Sequence, residues 1–159
     1  MGFINSLKTC FKKYVLISGR ASRSEFWYFS LFFYGVLGLI FLIGYFDYLY
    51  RSSIRTEFQS EIYFSLDVNY LRLFYGFIIL TILPFVAVTV RRLHDVNQSG
   101  LWILIPFITP FLIFILPAPI PNIIGLIINI IILFLCFKDG DRKDNRFGKN
   151  IYKKNKINN

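Results

Sequence analysis

Charge is missing from long stretches of this chain. No Asp, Glu, Lys or Arg occurs in 29–46, in 73–90 or in 96–137. A helix that crosses a bilayer needs about 20 apolar residues, with a range of roughly 17–25. Runs of this length point to membrane segments and argue against a soluble core. Acid is scarce overall, with nine Asp and Glu against 18 Lys and Arg. The single histidine and two distant cysteines offer no metal-ligand spacing, and no cofactor is expected. No Ser or Cys nucleophile motif accompanies His94, so a catalytic triad is not supported. No internal repeat points to an inverted-repeat transporter. No small-residue cleavage site follows the first apolar run, which therefore reads as an uncleaved anchor.

The basic residues that are present sit beside the apolar runs. Lys8, Lys12, Lys13, Arg20 and Arg23 precede the first run, and Arg91 and Arg92 follow the second. Lys138, Arg142, Lys143, Arg146, Lys149, Lys153, Lys154 and Lys156 fill the tail. Between Tyr50 and Tyr70, Arg51 and Arg55 meet Glu57, Glu61 and Asp67. This distribution suits topology and anionic headgroups better than nucleic acid, and it predicts both termini in the cytoplasm. Cys10 and Cys136 then fall at the reducing face as free thiols.

The predicted fold is an all-α integral membrane bundle of about four transmembrane helices. The expected spans are 26–50, 71–90, 101–116 and 122–137, inside a membrane domain over 19–137. As one straight helix, 101–137 would reach about 55 Å at ~1.5 Å per residue, nearly twice the ~30 Å hydrocarbon thickness. Pro117, Pro119 and Pro121 break it. The third segment, which also holds Pro106 and Pro110, is short and open to a re-entrant course. Residues 1–18 are expected to form a basic amphipathic helix in the interface, with Phe3, Ile4, Leu7 and Phe11 on one side. Residues 138–159 form a basic cytoplasmic tail.

Three polar motifs flank the spans: GRASRSEFW (Gly19 to Trp27), RRLHDVNQSG (Arg91 to Gly100) and DNRFG (Asp144 to Gly148). Ser22 or Ser24 can cap the first membrane helix, and Glu25 suits its positive end. Trp27 fits the aromatic belt. Arg91 and Arg92 are placed at a helix C-terminus, followed by a turn through Asn97, Ser99 and Gly100. His94 beside Asp95 is either a proton-handling pair or two separately bonded structural groups. The motifs share one membrane face, where Glu25 and Asp95 complement the arginines, and they are expected to converge.

GRASRSEFWYF, RRLHDVNQSGLW and NRFG, in this order and spacing, resemble the bacterial family called domain of unknown function 805 over nearly the whole chain. The resemblance implies a small polytopic inner-membrane protein and brings no activity with it. Asn97-Gln98 departs from the Gly-Arg type of pair common before Ser-Gly in that family, which removes a positive charge.

The residues favour a non-enzymatic membrane module. Its cytoplasmic collar of Arg20, Arg23, Glu25, Trp27, Arg91, Arg92, His94, Asp95, Ser99, Gly100, Asn145 and Arg146 would bind anionic lipid headgroups or a protein partner, with homo-oligomers also open. No nucleic-acid partner is expected. One alternative is a lipid enzyme using His94 and Asp95 as acid and base. The other is a small oligomeric transporter or channel with a path along Thr81, Thr89 or Asn129.

Overall fold

A computed structural model describes residues 1–53, 60–114, 116–117 and 119–152. Among these the chain is helical: α1 (Phe3–Lys12), α2 (Arg23–Ser53), α3 (Ser60–Asp95), α4 (Ile105–Ile108) and α5 (Ile120–Phe137). Single 3₁₀ stretches, Gly100–Leu104 and Thr109–Phe114, flank α4. Parts of α2, α3 and α5 are long and apolar enough to cross a membrane: Arg23–Tyr50, Tyr70–Asp95 and Ile120–Phe137. Only 22%, 33% and 22% of their most apolar windows is buried within the protein. The remaining apolar surface needs a non-aqueous neighbour, which is the signature of a lipid-facing bundle.

The expected third span is not one helix. Residues 101–114 fold instead as two 3₁₀ stretches around the single turn of α4. Pro106 stands near the N-terminus of α4 and Pro110 just beyond it, so two amide donors are missing where a regular helix would need them. This segment runs beside α5, with Thr109 against Gly125. A Cβ on Gly125 would sit 3.0 Å from the Thr109 hydroxyl. Ala118 of the proline turn, residues 54–59 with Arg55 and Glu57, and Lys153, Lys154 and Lys156 lie outside the described residues.

Two helices run past the ends expected for them. α2 begins at Arg23, where Ser22 Oγ accepts the Glu25 amide at 3.2 Å and so caps it. α3 runs on past the expected span end at Val90 through Asp95, with Arg91 and Arg92 near its C-terminus as expected. Charge at the end of an apolar run normally marks the exit from lipid, but these side chains have partners inside the protein. Pro84 interrupts the ladder of α3 and leaves the Leu80 carbonyl without its i+4 donor. The Tyr14 hydroxyl, just beyond α1, donates to that carbonyl at 2.7 Å.

α1 lies against α2. Its small residues Ser6 and Cys10, one turn apart, are fully buried, while Phe3, Ile4 and Phe11 keep much of their surface exposed. Phe11 meets Phe29 and Phe32 edge-on at 5.6 and 6.1 Å. The core below the collar joins Cys10, Ala21, Phe26, Phe29, Val88, Ile132 and Cys136. Deeper, Phe33 stacks on Phe85 at 4.5 Å and ties α2 to α3.

Candidate functional site

The start of α2, the end of α3 and the end of α5 meet at one end of the bundle, and the three polar motifs meet with them. At their centre three arginines are almost wholly buried: Arg20, Arg91 and Arg92. Unpaired charges there would cost several kcal/mol each. The protein supplies a partner set for each.

Arg91 donates to Glu25 Oε1 at 2.9 Å and to the Leu16 and Lys13 carbonyls at 3.0 and 3.4 Å, closing the chain that leaves α1. Its Nε has no hydrogen-bond partner among the described residues. Arg92 donates from Nε to the Cys136 carbonyl at 3.1 Å and from its other nitrogens to the Lys138 carbonyl and to Asp95. The last carbonyls of a helix lack internal donors and carry its negative dipole end, so Arg92 caps α5. Arg20 binds Asp95 Oδ1 at 2.8 Å through Nε and the Lys143 carbonyl at 2.8 Å, and it also reaches the Asp141 carbonyl. Each arginine thus fastens a different segment to α3: the α1 exit, the α5 end and the tail.

Asp95 is the hub. Its side chain has no exposed surface and pairs with both Arg20 and Arg92. The Tyr152 hydroxyl donates to its Oδ2 at 2.5 Å, and the Asp141 amide to its backbone carbonyl at 2.8 Å. Burial, with the Asp95 hydrogen bond and charge, pushes the Tyr152 hydroxyl above its ordinary value. A Cβ on Gly140 would collide with the Asp95 carboxylate and the Tyr152 hydroxyl, so the chain can pass only as glycine.

His94 faces away from Asp95. Its Nδ1 lies 3.2 Å from the Gly19 carbonyl, and its ring stacks on Phe147 with centroids 3.9 Å apart. The Arg146 guanidinium lies over the Phe147 ring at 4.7 Å and donates to the Asn97 carbonyl at 3.2 Å. Asn145 forms a tight turn with Gly148 and donates to the His94 carbonyl at 2.9 Å. The His94 and Asp95 side chains are therefore committed to separate partners.

Arg20, Glu25, Arg91, Arg92, His94, Asp95, Asn145 and Arg146 are thus brought together. Arg23 stands at the rim, paired with Asp139 and donating to the Phe137 carbonyl at 3.3 Å. Trp27 turns toward the apolar interior and meets Phe137 at 4.2 Å. Ser99 accepts the Leu101 amide at 3.3 Å and, with Gly100, starts the broken segment. Gly140, Asp141, Phe147 and Tyr152 were not among the residues expected. Beyond the DNRFG motif, a glycine and a tyrosine within a basic tail are the sequence hints that these further residues dock. Among the described residues no group of three His, Cys, Asp or Glu side chains is placed to hold a metal.

The family described as "protein of unknown function (DUF805)" matches residues 14–149. Inner membrane protein YhaI of Escherichia coli (strain K12) is 31% identical over 137 residues, covering 86% of each chain. Inner membrane protein YhaH of the same strain is 34% identical over 140 residues, covering 86% of this chain and 88% of its own length. No solved structure matches.

Proposed function

The chain belongs to the DUF805 family, and from that premise we propose a non-enzymatic inner-membrane module whose cytoplasmic collar binds anionic lipid headgroups. One observation carries this reading. The buried arginines are committed to protein carbonyls and carboxylates, while a second set of cations, Lys138, Arg142, Lys143, Arg146 and Lys149, stays exposed around them. The inner set holds the collar rigid and the outer set presents charge. Near an anionic leaflet each such cation gains about 1 kcal/mol. Loop charge supports the collar end as cytoplasmic. α1 rests in the interface with Phe3, Ile4 and Phe11 toward lipid. The broken segment around α4 is re-entrant, and α5 returns from it to the collar.

Native mass spectrometry of protein from nanodiscs of equal anionic and zwitterionic lipid tests this. The wild type should retain the anionic lipid preferentially. Replacing the five exposed cations by Gln should abolish the preference while the protein stays folded. Equal retention by wild type would overturn the reading. His94→Gln should leave any cellular phenotype intact. Loss of that phenotype at normal abundance would favour acid–base chemistry instead.

A further inference from the structure

Below the collar a cavity of about 420 Å³ opens among α2, α3, the broken segment and α5. This is within the ~300–1,000 Å³ typical of small-molecule sites. Its wall is largely apolar, with Trp27, Tyr34, Val86, Phe107 and Leu133 among the lining residues. One polar group in that wall is not internally satisfied. Ser30 is 4% exposed, and its Oγ has no hydrogen-bond partner among the described residues. The threonine hydroxyls of α3 return to their own backbone: Thr81 to the Phe77 carbonyl at 2.6 Å and Thr89 to the Phe85 carbonyl at 2.7 Å. A buried hydroxyl without a partner costs about 1–3 kcal/mol, so Ser30 is suited to a ligand acceptor.

A second, polar cavity of about 710 Å³ lies at the collar rim, lined by Ser22, Arg23, Arg142, Asp139 and Tyr152 among others. The two are neighbours along one face of α2. Arg23 lines the upper, Trp27 and Ser30 the lower, at i, i+4 and i+7. The Trp27–Phe137 contact stands between them, and Arg23 donates to the Phe137 carbonyl just above it. Along the helix, Ser30 is about 10 Å deeper than Arg23 at ~1.5 Å per residue.

Resting on the headgroup reading above, we propose that these two cavities form one site for a single anionic glycerophospholipid. Its phosphate sits between Arg23 and Arg142, where two cations meet one carboxylate. An ester carbonyl below the phosphate accepts from Ser30 Oγ. One acyl chain fills the apolar cavity. The ligand class follows from the layering: permanent positive charge at the rim, a buried hydroxyl without a partner about two turns below, and an apolar volume within the membrane-spanning helices.

The test uses phosphatidylglycerol carrying a photoreactive group midway along one acyl chain, in nanodiscs otherwise of phosphatidylcholine. A phosphatidylcholine probe with the same chain serves as control. The anionic probe should label Val86, Phe107 and Leu133, and the neutral probe should label them about tenfold less, which corresponds to ~1.4 kcal/mol of selectivity. Val86→Trp, which fills the cavity, should remove that labelling while leaving lipid-facing Phe41 and Leu42 labelled as before. Ser30→Ala, too small a change to disturb folding, should lower cavity labelling about threefold for one lost hydrogen bond. Equal cavity labelling by both probes, or labelling insensitive to Ser30→Ala, overturns the site. So does a dimer that keeps the probe out, since a second copy would then fill the cavity. If anionic lipid is still retained preferentially while the cavity stays unlabelled, the site falls and the headgroup reading stands. If retention is also unselective, both fall.

Discussion

Single groups in this protein stabilise by closing gaps that other residues leave. Pro84 strips the Leu80 carbonyl of its donor, and the Tyr14 hydroxyl replaces it from another segment. Tyr14→Phe should therefore lower stability by about 1 kcal/mol, the usual worth of one hydrogen bond whose acceptor is left bare. Pro84→Ala restores the intrahelical amide, so Tyr14→Phe in that background should be close to neutral. A double-mutant cycle of unfolding in denaturing detergent measures the difference, and additivity of the two changes would show that the pairing carries no energy. Gly140 works the opposite way, by leaving room. Its missing Cβ lets the tail pass over the Asp95 carboxylate and the Tyr152 hydroxyl. Gly140→Ala should cost about 1–3 kcal/mol as overpacking, seen as a lower apparent Tm in detergent. Unchanged stability would mean that the tail can lift away from Asp95 freely.

Among the elements, α1 is held by its small-residue face, Ser6 and Cys10, by Phe11 against Phe29 and Phe32, and by Arg91 at its exit. The Cys10 thiol lies 4.0 Å from Glu25 Oε1. Burial first, and the Glu25 charge second, push it from 9.0 up to about 12. The unfolded thiol ionises near 9.0 and the folded one resists, so its contribution is intact below 9.0 and lost as pH climbs toward about 12. The stability advantage of the wild type over Cys10→Ala should therefore shrink across that window, and a constant difference would exclude the thiol as its source. The membrane helices themselves are legible in the sequence, because a charge-free run of spanning length is rarely stable outside a bilayer. Their ends are less legible. Arg91 and Arg92 read as a helix end and Asp95 as polar chain beyond it, because charge marks the lipid boundary, yet all three belong to the last turns of α3 and are held by partners far away in sequence. The segment around α4 reads in the sequence as one short helix over 101–116, and its division into 3₁₀ stretches around Pro106 and Pro110 depends on packing against α5. The convergence of the motifs is legible from shared sidedness and complementary charge. The hub role of Asp95 is not, because Tyr152, Gly140 and the carbonyls of Lys138 and Asp141 carry no pattern that announces it.

For the molecule as a whole, the collar couples connectivity to sidedness. The Arg92 contact with the Cys136 carbonyl and the Arg20 contact with Asp95 hold the end of α5, the end of α3 and the approach to α2 at one end of the bundle. Gly2 and Lys149 must then lie on the same side of the membrane, whichever side that is. On the reading proposed above charge sets the side, because the collar end carries Lys8, Lys12, Lys13 and the exposed cations of the tail, and basic clusters favour the cytoplasmic face. Cys10 and Cys136 are buried, so single cysteines placed elsewhere give a clean signal. In intact spheroplasts, Gly2→Cys and Lys149→Cys should resist a membrane-impermeant maleimide and react after permeabilisation, whereas Gln59→Cys should react at once. Labelling of both terminal sites from outside would invert the orientation and remove the anionic leaflet from the collar, ending the headgroup reading. Labelling of only one would contradict the collar itself, since its arginines cannot bind α5 and α3 from opposite faces of a bilayer.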